Sequence, residues 1–308
     1  MSAVDAVLLV AFGGPERPED IRPFLQIVTD GRRVPPERLD EVAHHYEAIG
    51  GRSPLNTLTR RQADALHRAL AAAGRSLPVW VGMRNWHPFL HETLAEMKDR
   101  GVRRALGIIL SSLATEASWD RYVEDVAAAR EKVGPDAPEV VYAPTWGAHP
   151  LFIEVMADRT RAALDAIPSS RQPDARLVFT AHSVPVAMAA GSPYAEHLAR
   201  AAGLVAARLG RTGWSLAYQS RSGSPRDPWL EPDVGDVIRR LAAEGARDVV
   251  VIPVGFVCDH VEVLYDLDVE ARAVAASCGV GFHRAAAAND HPAFVAMLAD
   301  LVRRGAAA

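Results

Sequence analysis

Short apolar runs alternate along the chain with longer stretches in which apolar residues return every three or four positions. The runs lie at residues 7–12, 79–82, 105–110 and 140–143, then at 177–180, 216–218, 249–254 and 280–282. The helical period is carried by residues 60–73, 90–100, 119–133, 195–209 and 234–244. Runs this short, separated by stretches long enough for a crossover, predict an α/β protein with parallel sheets covered by helices.

The runs fall into two sets of four, and each set opens with a strand that enters a proline-containing turn. The turn is Gly13-Gly14-Pro15 in the first set and His182-Ser183-Val184-Pro185 in the second. A phrase also repeats after the last run of each set. His149-Pro150-Leu151-Phe152 leads on to Ala157-Asp158, and His291-Pro292-Ala293-Phe294 leads on to Ala299-Asp300. In both, proline stands where the first turn of a helix tolerates a missing N–H. The pattern predicts two similar, doubly wound lobes, residues 1–148 and 149–308, joined near 145–150 with a cleft between them. The last helix could pack back on the first lobe. Ligands of such sheets collect beyond the carboxyl ends of the strands, which directs attention to residues 12–14, 85–87, 182–183, 219–221 and 255–262.

Composition then removes several classes. Of 308 residues, 49% are apolar and 23% charged, as in ordinary soluble domains. A net charge of −4 without a basic stripe gives no footprint for nucleic acid. Neither GxGxxG nor a phosphate-binding loop follows the first run, so nucleotide binding has no support. No apolar stretch approaches the roughly 20 residues of a membrane span, and the first residues lack a signal-peptide pattern. A cytoplasmic setting is expected. The two cysteines, Cys258 and Cys278, can build neither a disulfide framework nor a four-thiolate cluster.

The candidate chemistry concentrates in the second half. His182 follows an apolar run at the ligand edge of its sheet, where a neutral imidazole can accept a proton or bind a divalent metal. A lone histidine there could equally be structural, bonded to nearby backbone. The row that begins at Asp259 changes the balance. At about 100° per residue, Asp259, Glu262, Asp266 and Glu270 fall on one narrow arc of a helix, with Leu264, Leu267 and Ala271 opposite. Such a row can be a solvated face, but this one follows directly on the run 249–254. A line of oxygen ligands from surface to site suits the passage of a cation or of protons. Trp86, Tyr218, Trp229, Tyr46 and Tyr122 add flat apolar surface near the same edges, and Arg32, Arg33, Arg52 and Ser53 could bind carboxylates.

Five phrases resemble the ferrochelatase family: residues 8–15 (LLVAFGGP), 46–55 (YEAIGGRSPL), 179–185 (FTAHSVP), 218–233 (YQSRSGSPRDPWLEPD) and 253–270 (PVGFVCDHVEVLYDLDVE). They occur in the family's order, from about residue 5 to residue 300. The resemblance implies two Rossmann-like lobes, with porphyrin and ferrous iron as substrates. It makes His182 the metal-site histidine and catalytic base, Glu262 its partner, and Asp266 and Glu270 a relay along the helix. Tyr46, Ser53 and Tyr122 match porphyrin contacts of the bacterial branch that works on coproporphyrin III, and Arg32 and His45 extend that set. His45 stands where relatives often carry arginine, Phe12 where some carry an iron-ligating tyrosine, and Asn85 where some carry an outer metal-site histidine. The charged stretch 29–42 lacks the apolar insertion of mitochondrial relatives. With two cysteines, the [2Fe–2S] cluster of many relatives is not expected, nor any permanently bound cofactor. A sirohydrochlorin cobaltochelatase shares the fold, but the WLEPD and DHVEVLYDLD phrases disfavour it. A porphyrin carrier would need no acid line. A periplasmic two-lobe binding protein would need an export signal.

Overall fold

A computed structural model describes residues 4–31, 34–221 and 227–305. The run AVLLVA forms β1 (Ala6–Ala11), all six residues buried, as a strand covered on both faces requires. It pairs in parallel with β2 (Val79–Met83) and with β3 (Arg104–Ile109), which pairs in turn with β4 (Glu139–Tyr142). Between β1 and β2 lie α1 (Ile21–Val28), α2 (Pro36–Ala48) and α3 (Leu55–Ala72). The later crossovers carry α4 (Leu90–Asp99) and, after a π-helical turn at Glu116–Asp120, α5 (Arg121–Val133). Alternation along β1 sends Ala6, Leu8 and Val10 to one face, against Leu90, Leu94 and Met97 of α4 and Tyr122, Val126 and Ala129 of α5.

The remainder repeats the scheme. After α6 (Pro150–Asp165) come β5 (Arg176–His182), α7 (Val186–Ala190), α8 (Tyr194–Arg208) and β6 (Trp214–Gln219). These are followed by α9 (Val234–Ala243), β7 (Asp248–Ile252), α10 (Val261–Leu264), α11 (Arg272–Ser277) and β8 (Gly281–Arg284). A π-helical turn, Asp266–Ala271, links α10 to α11. Both sheets are parallel, and their strand orders, β2-β1-β3-β4 and β6-β5-β7-β8, are the same. One face of the second sheet, with Val178, Ala217, Val249 and Val251, packs on Val237, Ile238 and Leu241 of α9 and on Leu267, Ala271 and Ala275.

The chain divides into two compact units. The first runs to Leu110, resumes over Ala117–Thr145 and takes in the stretch from Asp290; the second holds Ser111–Glu116 and Trp146–Asn289. The final helix, α12 (Pro292–Gly305), therefore lies with the first unit, where it packs on α3 and where Gly305 sits against Leu106. The repeated His-Pro phrase has a local cause. His149 Nδ1 accepts from the N–H of Leu151 at 3.2 Å to cap α6, and His291 Nδ1 accepts from the N–H of Ala293 at 3.2 Å to cap α12. Proline then occupies the first helical position of each. Among the described residues, no helix is long and apolar enough to cross a membrane.

Candidate active site

Pairing with β6 carries β5 past its apolar core, so His182 is the last strand residue, opposite Gln219. Its backbone is pinned there. The carbonyl of His182 accepts from the Tyr194 hydroxyl at 2.7 Å, and the next N–H, of Ser183, donates to the Gln219 carbonyl at 2.6 Å. Burial above all, helped by Tyr218 and Glu262, pushes the Tyr194 pKa up, so this phenol stays a neutral donor. The imidazole is oriented as well. Nδ1 bonds to the carbonyl oxygen of Ser183. A carbonyl only accepts, so Nδ1 carries the proton and the neutral ring keeps its lone pair on Nε2. That lone pair lies 3.7 Å from Oε1 of Glu262, with the two side chains 28% and 34% exposed. The distance is too long for a direct hydrogen bond. With the ring neutral, Nε2 and Oε1 are two acceptors set across a gap that a cation could bridge.

Glu262 is held through its backbone. Its N–H donates to His260 Nδ1 at 3.3 Å, the cap of α10, and its carbonyl accepts from Gln219 Nε2. Burial holds the His260 pKa below the usual imidazole range against the opposing charges of Glu262 and Asp259, so the ring stays a neutral acceptor. Phe256 packs edge-on against it at 5.2 Å between centroids.

Beyond Glu262 the helix departs from a uniform period. The N–H of Glu270 donates to the carbonyl of Tyr265, five residues back, at 3.1 Å. In an α-helix a residue four positions on has over-rotated by about 40°. A wider i→i+5 turn takes that rotation back, and Asp266 and Glu270 both line a pocket of about 70 Å³ with Gln219, Ser220, Asp233 and Gly235. Asp266 accepts from the Ser220 hydroxyl, whose residue adopts a φ of 63°.

Asp259 does not belong to this line, contrary to the uniform-helix reading. It precedes α10 and accepts from Arg284 Nη1 at 2.9 Å, the N–H of Ala287 at 3.1 Å and Asn289 Nδ2 at 2.8 Å. Three donors make it a structural anchor. Arg284 Nε also donates to Asp268 at 2.8 Å, tying the π-helical turn to β8.

The remaining candidates lie in the first unit. Phe24 is a buried hub meeting Phe12, Tyr46 and Trp86 edge-on at 6.3, 6.0 and 6.0 Å. The Gly13-Gly14 turn lets this end of β1 close up. Gly13 has a φ of 86° and a Cβ there would lie 3.0 Å from the Trp86 nitrogen, while one on Gly14 would lie 2.9 Å from Ser53 Cβ. Ser53 is buried, and its Oγ accepts from the N–H of Leu55 at 3.3 Å. Tyr122, buried on α5, has its ring under the Arg84 guanidinium. Burial, then the charge of Arg38, holds the half-buried His45 below the usual imidazole range. Arg32 lies outside the described residues. The structure thus brings His182 together with Glu262 and Asp266 with Glu270, and it gathers Tyr46 and Ser53 around the end of β1.

The family model described as Ferrochelatase matches residues 4–306. The chain belongs to the ferrochelatase family. A coproporphyrin III ferrochelatase from Nocardia farcinica is 49% identical over 98% of this chain and 88% of its own length. One from Mycolicibacterium smegmatis is 46% identical over 97% of this chain and 88% of its own. Among solved structures, the sirohydrochlorin chelatase SirB of Bacillus subtilis with cobalt superposes at a TM-score of 0.56 and 13% identity, covering 98% of this chain and 95% of its own. DR2241 of Deinococcus radiodurans gives 0.58 at 17%, over 99% of this chain and 56% of its own. At such identities the likeness shows the shared α/β fold.

Several residues near this candidate site carry little local signal in sequence. Tyr194 lies 12 residues beyond His182 at the start of a helix, and only tertiary packing brings its hydroxyl to the His182 carbonyl. Gln219 and Ser220 stood at a strand end, where inspection was warranted, but their bonds to Glu262 and Asp266 span more than 40 residues. Arg84 directly precedes Asn85 at the end of β2, and its strand-end position was the available clue.

Proposed function

We infer that the protein inserts ferrous iron into a porphyrin, with coproporphyrin III favoured over protoporphyrin IX. The observation that carries the reading is His182 Nε2 lying 3.7 Å from the Glu262 carboxylate. Metalation exchanges two pyrrole N–H protons for one Fe²⁺, so the site needs a proton acceptor directed at the ring and an anionic group for the metal. His182, with Nδ1–H committed to Ser183, is the acceptor and a transient ligand. Glu262 takes iron or the second proton, and Asp266 and Glu270 pass charge to solvent. Among the described residues, no three His, Cys, Asp or Glu side chains converge on one point. Two donors suit a metal in transit, since resident sites usually close around it with four.

A planar macrocycle hides its nitrogen lone pairs in its own plane. Contacts at the periphery that favour a bent ring would expose them, with remote binding energy offsetting the strain. Tyr46, Ser53, Tyr122, His45 and Arg32 are the peripheral contacts in this reading. Coproporphyrin III carries four propionates against two in protoporphyrin IX, and the relatives' names point the same way. Each charge-assisted contact to a propionate could contribute about 1.5–3 kcal/mol in a partly buried site. The setting is cytoplasmic, and the enzyme works without a permanently bound cofactor.

Anaerobic metalation with Fe²⁺, free of detergent, tests both claims. The kcat/KM for coproporphyrin III should exceed that for protoporphyrin IX by about fivefold to tenfold, corresponding to about 1–1.4 kcal/mol. Equal use of the two would overturn the preference alone. Failure to metalate either would overturn the activity.

A further inference from the structure

We propose that Arg84 binds a carboxylate at the porphyrin periphery and helps to set substrate preference, an assignment that rests on the reading of Tyr122 as a porphyrin contact. Arg84 is the first residue past β2, at the carboxyl end of a parallel sheet, where ligands collect. Its backbone N–H donates to the Ala11 carbonyl at 2.9 Å, which fixes it beside the end of β1. The side chain is only 16% exposed and is held on two sides. Nε forms an ion pair with the Asp125 carboxylate, and the guanidinium carbon lies 5.5 Å from the centroid of the Tyr122 ring. Tyr122 and Asp125 stand three apart on α5, so one helix face supplies both supports.

What this leaves unused is the outer edge of the fork. No hydrogen bond engages Nη1 or Nη2 among the described residues, and neither nitrogen is sealed in the interior. A guanidinium held at Nε, with Nη1 and Nη2 free of hydrogen bonds among the described residues, can take a carboxylate in bidentate fashion. Charge points the same way. The Asp125 carboxylate is paired at the Nε side of the guanidinium. Arginine remains charged at any working pH. His45, in contrast, is held below the usual imidazole range and offers little positive charge at neutral pH. Arg84 thus supplies a fixed cation beside Tyr122 for an acidic substituent of the ring.

Steady-state metalation and fluorescence titration of porphyrin binding, on wild type, Arg84→Gln, Arg84→Lys and Asp125→Asn, decide the matter. Arg84→Gln should lower kcat/KM for coproporphyrin III about tenfold, mainly through KM, and weaken its binding in parallel. The dicarboxylic protoporphyrin IX should lose about threefold or less. Arg84→Lys should fall between, and Asp125→Asn should leave the preference for coproporphyrin at or above that of wild type, because it frees the cation. If Arg84→Gln and Asp125→Asn depress both porphyrins equally, Arg84 merely braces α5 and the proposal fails. It fails too if Arg84→Gln changes neither binding constant. A wild-type protein that binds but never metalates would overturn the chelatase reading, while the titrations would still decide on Arg84.

Discussion

At the scale of single residues, the role proposed for His182 turns on a tautomer. The sequence offered two readings of His182, structural or chemical, and the backbone bond at Nδ1 is compatible with both. The Nδ1–H serves the backbone of Ser183, and in the neutral ring that commitment puts the lone pair on Nε2. That His182 and Glu262 lie close together was legible because each sits beside a strand end within a phrase rich in rare residues. Tyr194 was not, since a hydroxyl that meets a backbone carbonyl through tertiary packing leaves no trace in local pattern. The roles predict a sharp asymmetry. His182→Ala should reduce metalation below a tenth of wild type while porphyrin binding changes less than about tenfold, because apolar contacts hold most of a flat ligand. Glu262→Gln should likewise cost far more than Glu244→Gln, an exposed glutamate paired only with Arg240. Steady-state kinetics alongside porphyrin titration measure both. A His182→Ala enzyme that keeps normal turnover would remove the histidine from the mechanism.

At the scale of elements, the departure from expectation lies between residues 259 and 271. A sequence read at 100° per residue must treat 259–270 as one helix, and so it places Asp259 with the other acids. The chain instead starts α10 at Val261 and widens into a π-helical turn at Asp266. Asp259 is consequently left outside, where Arg284 and two other donors claim it. No periodicity analysis distinguishes these cases, because the choice depends on the distant Arg284 and Ser220. The cap explains how Glu262 is aimed despite the short helix. His260→Ala removes the acceptor for the Glu262 N–H and should cost about 1 kcal/mol of stability, as N-cap losses do. His260→Asn, which keeps a capping acceptor, should recover most of it and more of the activity than His260→Ala. Denaturant melts and metalation rates check both. The pH dependence has a definite sign. The folded His260 pKa lies below its unfolded value, so the folded state binds fewer protons and resists charging the ring. Stability therefore falls as pH drops through the ordinary imidazole range toward the depressed pKa, below which the ring charges and the cap itself is lost.

For the whole molecule, duplication was legible and its boundary only in part. Two sets of four runs do become two sheets of identical strand order. The His-Pro phrase, which first suggested a repeat, marks two helices capped in the same way by histidine Nδ1. The helix that follows the first sheet, α6, lies with the second unit, and α12, which follows the second sheet, lies with the first. Pattern shows where a helix starts, but only packing shows which sheet it covers. Each unit thereby owns an apolar core built on its own sheet, one around Leu8, Leu94 and Val126 and the other around Val178, Ile238 and Leu267. Proteins that unfold without metal are those whose metal site replaces such a core. Cys258 is buried and Cys278 partly so, and two thiols fall short of the four an iron–sulfur cluster takes. Exhaustive chelation should therefore leave the thermal midpoint within about 2 °C, a change of under about 1 kcal/mol for a chain of this size. The purified protein should show no visible iron–sulfur absorption and no acid-labile sulfide. A midpoint that collapses with chelator, or iron recovered in stoichiometric amount with sulfide, would mean that a resident metal shares in holding this fold.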